Sequence, residues 1–253
     1  MISALGFGLI IGLAMGMVGG GGAVLAVPVL VYAVGLGVHE ATTVSLAVVS
    51  LGAATGAVGQ ARRGAVCWAS AGWFALAAAL GSIIGTLANR ALGGEILLLM
   101  FSGVMLLAAR ATWMRAGSGI VKGSGCPPAR AAVLLPVGLG VGALTGLVGV
   151  GGGFVVVPTL AIGLSFGLRE AMATSIVIIA IVSLCGLVSH LALGNSLDVP
   201  VTLAMGGAAM AGAYAGPALA DKVSTEALGR GFALLVVLVA VGVVGATLAG
   251  VSV

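Results

Sequence analysis

The chain has 253 residues, of which 61% are hydrophobic and only 6% charged, with a net charge of +4. A soluble domain carries about 25% charged residues, so this composition excludes an ordinary globular enzyme and points to a helical protein that spans a membrane many times. The positive surplus reads as loop topology, and no nucleic-acid partner is expected.

Taken in chain order, apolar runs predict five helical segments at 3–18, 23–36, 41–59, 66–88 and 95–114. The polar stretch from Arg115 to Arg130, rich in Gly, Ser and Pro, reads as a linker. Five more segments follow at 131–148, 153–166, 171–193, 199–219 and 228–250. The expected organisation is a first transmembrane repeat over 1–115, a linker over 116–130 and a second repeat over 131–253. The start, Met1-Ile2-Ser3-Ala4-Leu5, lacks the positive region of a cleavable signal, so residue 1 is expected to begin the mature protein. Cys67, Cys126 and Cys185 are widely spaced, without a CxxC or histidine partners. Their spacing argues against both a disulfide framework and a metal site.

The two halves repeat one another. Gly19-Gly20-Gly21-Gly22-Ala23 leading to Pro28 matches Gly149-Val150-Gly151-Gly152-Gly153-Phe154 leading to Pro158, at an offset of 130 residues. Glu40-Ala41 and Ser45 match Glu170-Ala171 and Ser175 at the same offset. After one inserted residue, Gly81-x-x-x-Gly85 matches Gly212-x-x-x-Gly216. Such matched, broken segments in two halves point to a transporter's binding site. If each half crosses an odd number of times and the linker is cytoplasmic, nine of the ten basic residues lie inside and only Arg90 lies outside. A parallel duplication would leave six of ten, so inverted repeats are expected, with both termini outside. The 14 residues 23–36 span only about 21 Å, short of a hydrocarbon core about 30 Å thick. Each broken pair is therefore either two short crossing helices or a re-entrant hairpin with glycine at its tip.

A helix that begins after a glycine break exposes unpaired N–H groups along its axis, an anion site that needs no cation. Two such starts, near Ala23 and Phe154, would meet at the repeat interface. The blander alternative is that these glycines only permit close packing, as Gly81, Gly85, Gly212 and Gly216 are expected to do. Thr43, Ser45, Thr174 and Ser175 begin the following segments and are candidate hydroxyl donors, or else bond the preceding turn of their own helix. Pro28 and Pro158 are expected to shape the short helices. The acidic residues sit at segment ends, where Glu40 and Glu170 suit helix starts. His190, at the position of Gln60 in the first half, is the candidate proton-coupling residue, or else an interfacial, hydrogen-bonded histidine. Cys185 reads as an apolar filler. No phosphate-binding loop follows a strand, which argues against an ATP-driven pump. No enzyme activity, cofactor or metal is expected.

The motif Gly16-Met17-Val18-Gly19-Gly20-Gly21-Gly22 through Pro28, its counterpart from Gly146 through Pro158, and Glu-Ala-x-x-x-Ser at Glu40–Ser45 and Glu170–Ser175 resemble the TauE/SafE sulfite exporter family, also called TSUP. The resemblance covers essentially the whole chain. It implies a multi-pass permease of the bacterial inner membrane that moves sulfur-containing anions, such as sulfite, sulfoacetate or related sulfonates, usually outward. An uncoupled channel and a membrane scaffold whose glycines serve packing alone are the alternatives, and a homodimer is left open. Related permeases that pass thiosulfate use cysteines along the path, whereas none of the three here lies in a glycine motif.

Overall fold

The computed structural model describes residues 2–116, 126–149, 152–220, 223 and 225–248, and among these all regular structure is helical. The first half runs as α1 (Ile2–Val18), a tight 3-10 stretch (Gly19–Leu25), α2 (Ala26–Pro28) continuing into a widened π turn (Val29–Val34), α3 (Val38–Arg62), α4 (Trp68–Ala91) and α5 (Gly94–Ala116). The second half repeats the order with α6 (Ala131–Val148), α7 (Gly153–Pro158) continuing into a π turn (Thr159–Gly163), α8 (Leu168–Ala192), α9 (Val199–Ala220) and α10 (Thr225–Leu248). Six helical stretches, Ala4–Val34, Val38–Arg62, Trp68–Ala91, Ala131–Val148, Arg169–Ala192 and Val199–Ala220, are long and apolar enough to cross a bilayer. The chain is thus an all-α, multi-pass membrane protein.

Proline explains the shared local shape of the halves. Its ring crowds the preceding turn and it has no N–H to donate. In both halves the helix widens into a π turn immediately after it, at Val29 after Pro28 and at Thr159 after Pro158. Glu40 and Glu170 lie in the first turns of α3 and α8, where the helix dipole favours negative charge.

Helices pair through glycine rather than through large side chains. A β-carbon placed at Gly8 or Gly16 in α1 would run into the backbone of α9 at Met205 or Ala213. In the same way Gly138 of α6 faces Phe74, Gly142 faces Ala78 and Gly146 faces Ser82, all on α4. In both pairs residue numbers rise together, so the helices run parallel at backbone contact, as small-residue packing allows. The large aliphatic residues point the other way. On α4, Leu76, Leu80, Ile83, Ile84 and Leu87 are exposed on one face, while Ala77, Ala78, Gly81, Ser82 and Gly85 are buried on the other. That is the pattern of a helix with its greasy side in lipid.

Corresponding third helices run in opposite directions. Gly56 of α3 meets Ile176 of α8, whereas Leu46 meets Gly186, so one number falls as the other rises. At one end of the bundle the Cys67 N–H donates to Thr174 Oγ1 at 3.1 Å, joining the start of α4 to the start of α8. A disulfide links Cys67 to Cys126, just before α6, with Cα atoms 5.5 Å apart. This corrects the expectation from spacing. The two cysteines are 59 residues apart in sequence, but parallel packing of α4 on α6 sets their entries side by side. Arg62, Arg63, Arg130 and Arg169 therefore share this end, with Arg90 at the other.

Candidate functional site

The two glycine clusters meet in the middle of the fold. Gly19, at φ +74°, ends α1 and reverses the chain, and Gly22 then lies back against Ala14 and Met15 of α1. α1 and the segment after it are therefore a hairpin with glycine at its tip. The sequence predicts a non-helical break at this cluster, with a helix starting near Ala23. The backbone differs. Gly19–Leu25 stays wound as a 3-10 helix, and the Ala26 N–H bonds to Ala23 O, so Ala23 lies inside the wound stretch. Four glycines in a row lack the β-carbons that would forbid so tight a turn against neighbouring helices.

The second cluster is an open break. Gly149, at φ +75°, closes α6 by donating its N–H to Thr145 O at 2.8 Å. Gly152, at φ +63°, caps α7, its carbonyl accepting from the Val155 and Val156 N–H groups at 3.0 and 2.9 Å. Gly151 and the side chain of Phe154, both candidate site positions, lie outside the described residues. The two clusters touch at glycine. A β-carbon at Gly20 would stand 3.0 Å from the Gly153 Cα. A β-carbon at Gly153 would run into the Gly20 backbone, and one at Gly20 would run first into the Ile179 side chain.

Each cluster is seated on the third helix of the other half, at matched residues. Gly19 packs against Met172 of α8, with the Ser175 Oγ 3.0 Å from its β-carbon position, and Gly149 packs against Thr42 of α3, whose Cα is 2.8 Å from the β-carbon position of Gly149. Ser45 lies three residues beyond Thr42, on the same face of α3. The hydroxyls then divide. Ser175 Oγ donates to Met172 O at 2.8 Å and Thr43 Oγ1 to His39 O at 3.1 Å, both within their own helices. Thr174 Oγ1 is taken up by the Cys67 N–H. Ser45 Oγ is buried without a hydrogen-bond partner, as is Ser183 Oγ on α8. Leaving such a group unsatisfied costs about 1–3 kcal/mol.

His190 is placed beside the second break rather than in open space. It is fully buried. Its Nε2–H donates to Gly146 O at 3.1 Å, and its Nδ1 accepts from Asn195 Nδ2 at 2.8 Å. A second route reaches the same helix end. Asn89 of α4 donates through Nδ2 to Leu147 O at 2.6 Å, and His39 Nδ1 bonds to Asn89 Oδ1 at 3.0 Å. The last carbonyls of α6, which its own helix cannot satisfy, are held by these two side-chain chains. Neither His39 nor Asn89 belongs to a motif that marks it in the sequence. A polar residue buried near the end of an apolar helix was the available signal.

A family model described as "Sulfite exporter TauE/SafE" matches residues 4–243. Two curated relatives, each called "Probable membrane transporter protein", come from Xylella fastidiosa strains Temecula1 and 9a5c. Both are 33% identical over 257 residues, covering 96% of this chain and 95% of theirs. No solved structure matches the chain.

Proposed function

Since the chain belongs to the TauE/SafE sulfite exporter family, we propose that this membrane transporter carries small sulfur-containing anions, such as sulfite, sulfoacetate or related sulfonates, outward across the bacterial inner membrane. The observation that carries the reading is the meeting of the two glycine clusters at Gly20 and Gly153, seated on Met172 and Ser175 on one side and Thr42 on the other. The closed contact leaves no room for a ligand; when the halves part, bare glycine backbone lets an anion reach N–H groups directly. N–H dipoles and hydroxyl donors stabilise an anion without binding it as tightly as a buried cation would, which suits a site that must release its cargo. The substrate-binding set is Gly19, Gly20, Gly21, Gly22 and Ala23 with Gly149, Gly151, Gly152, Gly153 and Phe154. Ser45 is the hydroxyl with bonding capacity to spare; Thr43, Thr174 and Ser175 would act after giving up the bonds they hold.

Transport follows from alternate exposure of that site to the two faces, the halves rocking against one another as inverted repeats do. Pro28 and Pro158 keep the two short helices in the shape that brings their starts together. His190 couples the cycle to protons only if the bond its Nδ1 accepts from Asn195 opens, since Nε2 already carries the proton it donates to Gly146 O.

The test is flux of sulfite, sulfoacetate, taurine, sulfate and chloride in proteoliposomes, with and without a pH gradient. Saturable movement of a sulfur oxyanion, driven uphill by the gradient, is the expected result. Downhill movement that never saturates would mark a channel, and no flux from folded protein would remove the substrate assignment.

A further inference from the structure

The disulfide sits where the charge pattern says it should not persist. Cys67 and Cys126 lie at the end of the bundle that carries Arg62, Arg63, Arg130 and Arg169. By the positive-inside rule that end faces the cytoplasm, where thiols are kept reduced. A bond there is a state entered on oxidation rather than a permanent staple. The two sulfurs also differ in access, since Cys126 is exposed and Cys67 is 3% exposed.

We propose that Cys67 and Cys126 form a reversible thiol–disulfide clip at the cytoplasmic mouth, which slows transport when closed and releases it when open. Opening needs a cellular thiol reductant. Its thiolate attacks the exposed Cys126 sulfur, forming a mixed disulfide, and Cys67 leaves as a thiolate that takes up a proton. A second reductant thiol then displaces Cys126. In sum the disulfide gains two electrons and two protons, and two reductant thiols become one disulfide. Closing reverses these steps with a disulfide or diazene oxidant.

The mechanical consequence follows from what the clip joins. It ties the entry of α6 in the second half to the start of α4 in the first. The same Cys67 supplies the N–H that holds Thr174, next to Ser175 and the Gly19 turn. A covalent bond between the halves at that point restrains their relative movement and holds the mouth against the first glycine cluster. This inference goes beyond the substrate reading and depends only on the halves moving during transport.

The experiment has two arms, both on the full chain carrying Cys185→Ala so that no other thiol reports. In growing cells, acid trapping followed by a polymer-linked maleimide should find both thiols reduced. They should be bridged after diamide and reduced again after dithiothreitol. A bridge that persists in growing cells overturns the proposal, as does labelling of Cys126 from the outer face alone. In proteoliposomes, sulfoacetate flux should fall roughly tenfold on oxidation with diamide and return with dithiothreitol, while Cys126→Ser should not respond. Sulfoacetate is the probe because sulfite itself cleaves disulfides. Equal flux in both redox states overturns the proposal. Absence of sulfoacetate flux in both states counts against the choice of anion, and the trapping arm then decides the clip.

Discussion

The two glycine clusters match in sequence and are held in opposite ways. The second is scaffolded by side chains: His190 takes the Gly146 carbonyl, and Asn89, braced by His39, takes the Leu147 carbonyl. At the matching places around the first cluster stand Gln60, 130 residues before His190, and Ala220, 131 residues after Asn89. Alanine has no donor to offer. The first cluster instead stays wound as a 3-10 helix and is fixed by close backbone approach to α8 and to α1. The two turns match in sequence while their supports differ. Polar side chains hold the second cluster, and close backbone packing holds the first.

The comparison breaks most severely where the clusters touch. Gly153→Val puts a side chain into the Gly20 backbone and should abolish flux, with overpacking of about 1–3 kcal/mol or more. Gly163→Val, where a β-carbon meets nothing within 4 Å, should leave flux and thermal unfolding in detergent unchanged. Equal behaviour of the two would show that contact between the clusters is unimportant.

Removing the scaffold should cost less and only on one side. His190→Ala or Asn89→Ala leaves a buried carbonyl unpaired and should destabilise by about 1–3 kcal/mol. Gln60→Ala should stay within about 0.5 kcal/mol, as a surface change does. Unfolding midpoints of the three variants, measured side by side, read the asymmetry directly. Similar losses at Gln60 and His190 would end it.

The hydroxyls sharpen the comparison most finely. Ser45→Ala removes a buried oxygen that bonds to nothing, so stability should hold or rise by up to about 1 kcal/mol. If that oxygen serves the anion, KM should rise several-fold with the maximal rate little changed. Ser175→Ala, whose hydroxyl is spent on Met172 O, should move KM less. The reverse order would transfer the ligand role to the first cluster.

Periodicity and composition carried most of the fold. The run 131–148 matches α6 end for end, and 41–59 and 171–193 fall on α3 and α8 within about three residues. Hydrophobic length is a local property, and a chain in lipid must satisfy its backbone locally, so such runs are legible without tertiary knowledge. The winding of Gly19–Leu25 was not, because glycine permits many backbone shapes and neighbouring helices chose this one. Nor was the Cys67–Cys126 pair or the Asn89–Leu147 bond. Each depends on α4 lying parallel to α6, a relation between residues about 60 apart that no spacing rule contains. The site is legible as a pair of motifs; which hydroxyl near it is unspent depends on rotamers and neighbours.

Pairing across the halves also sets the order of biosynthesis. α1 packs along α9, and α6 along α4, so the first helix made has its partner near the end of the chain. At about 5–20 residues per second, the roughly 200 residues between them take on the order of 10–40 s to synthesise. For that time the glycine face of α1 waits in the membrane without its match, and a half expressed alone would wait indefinitely. Two halves produced as separate polypeptides should therefore each be short-lived, and should rescue one another when made together.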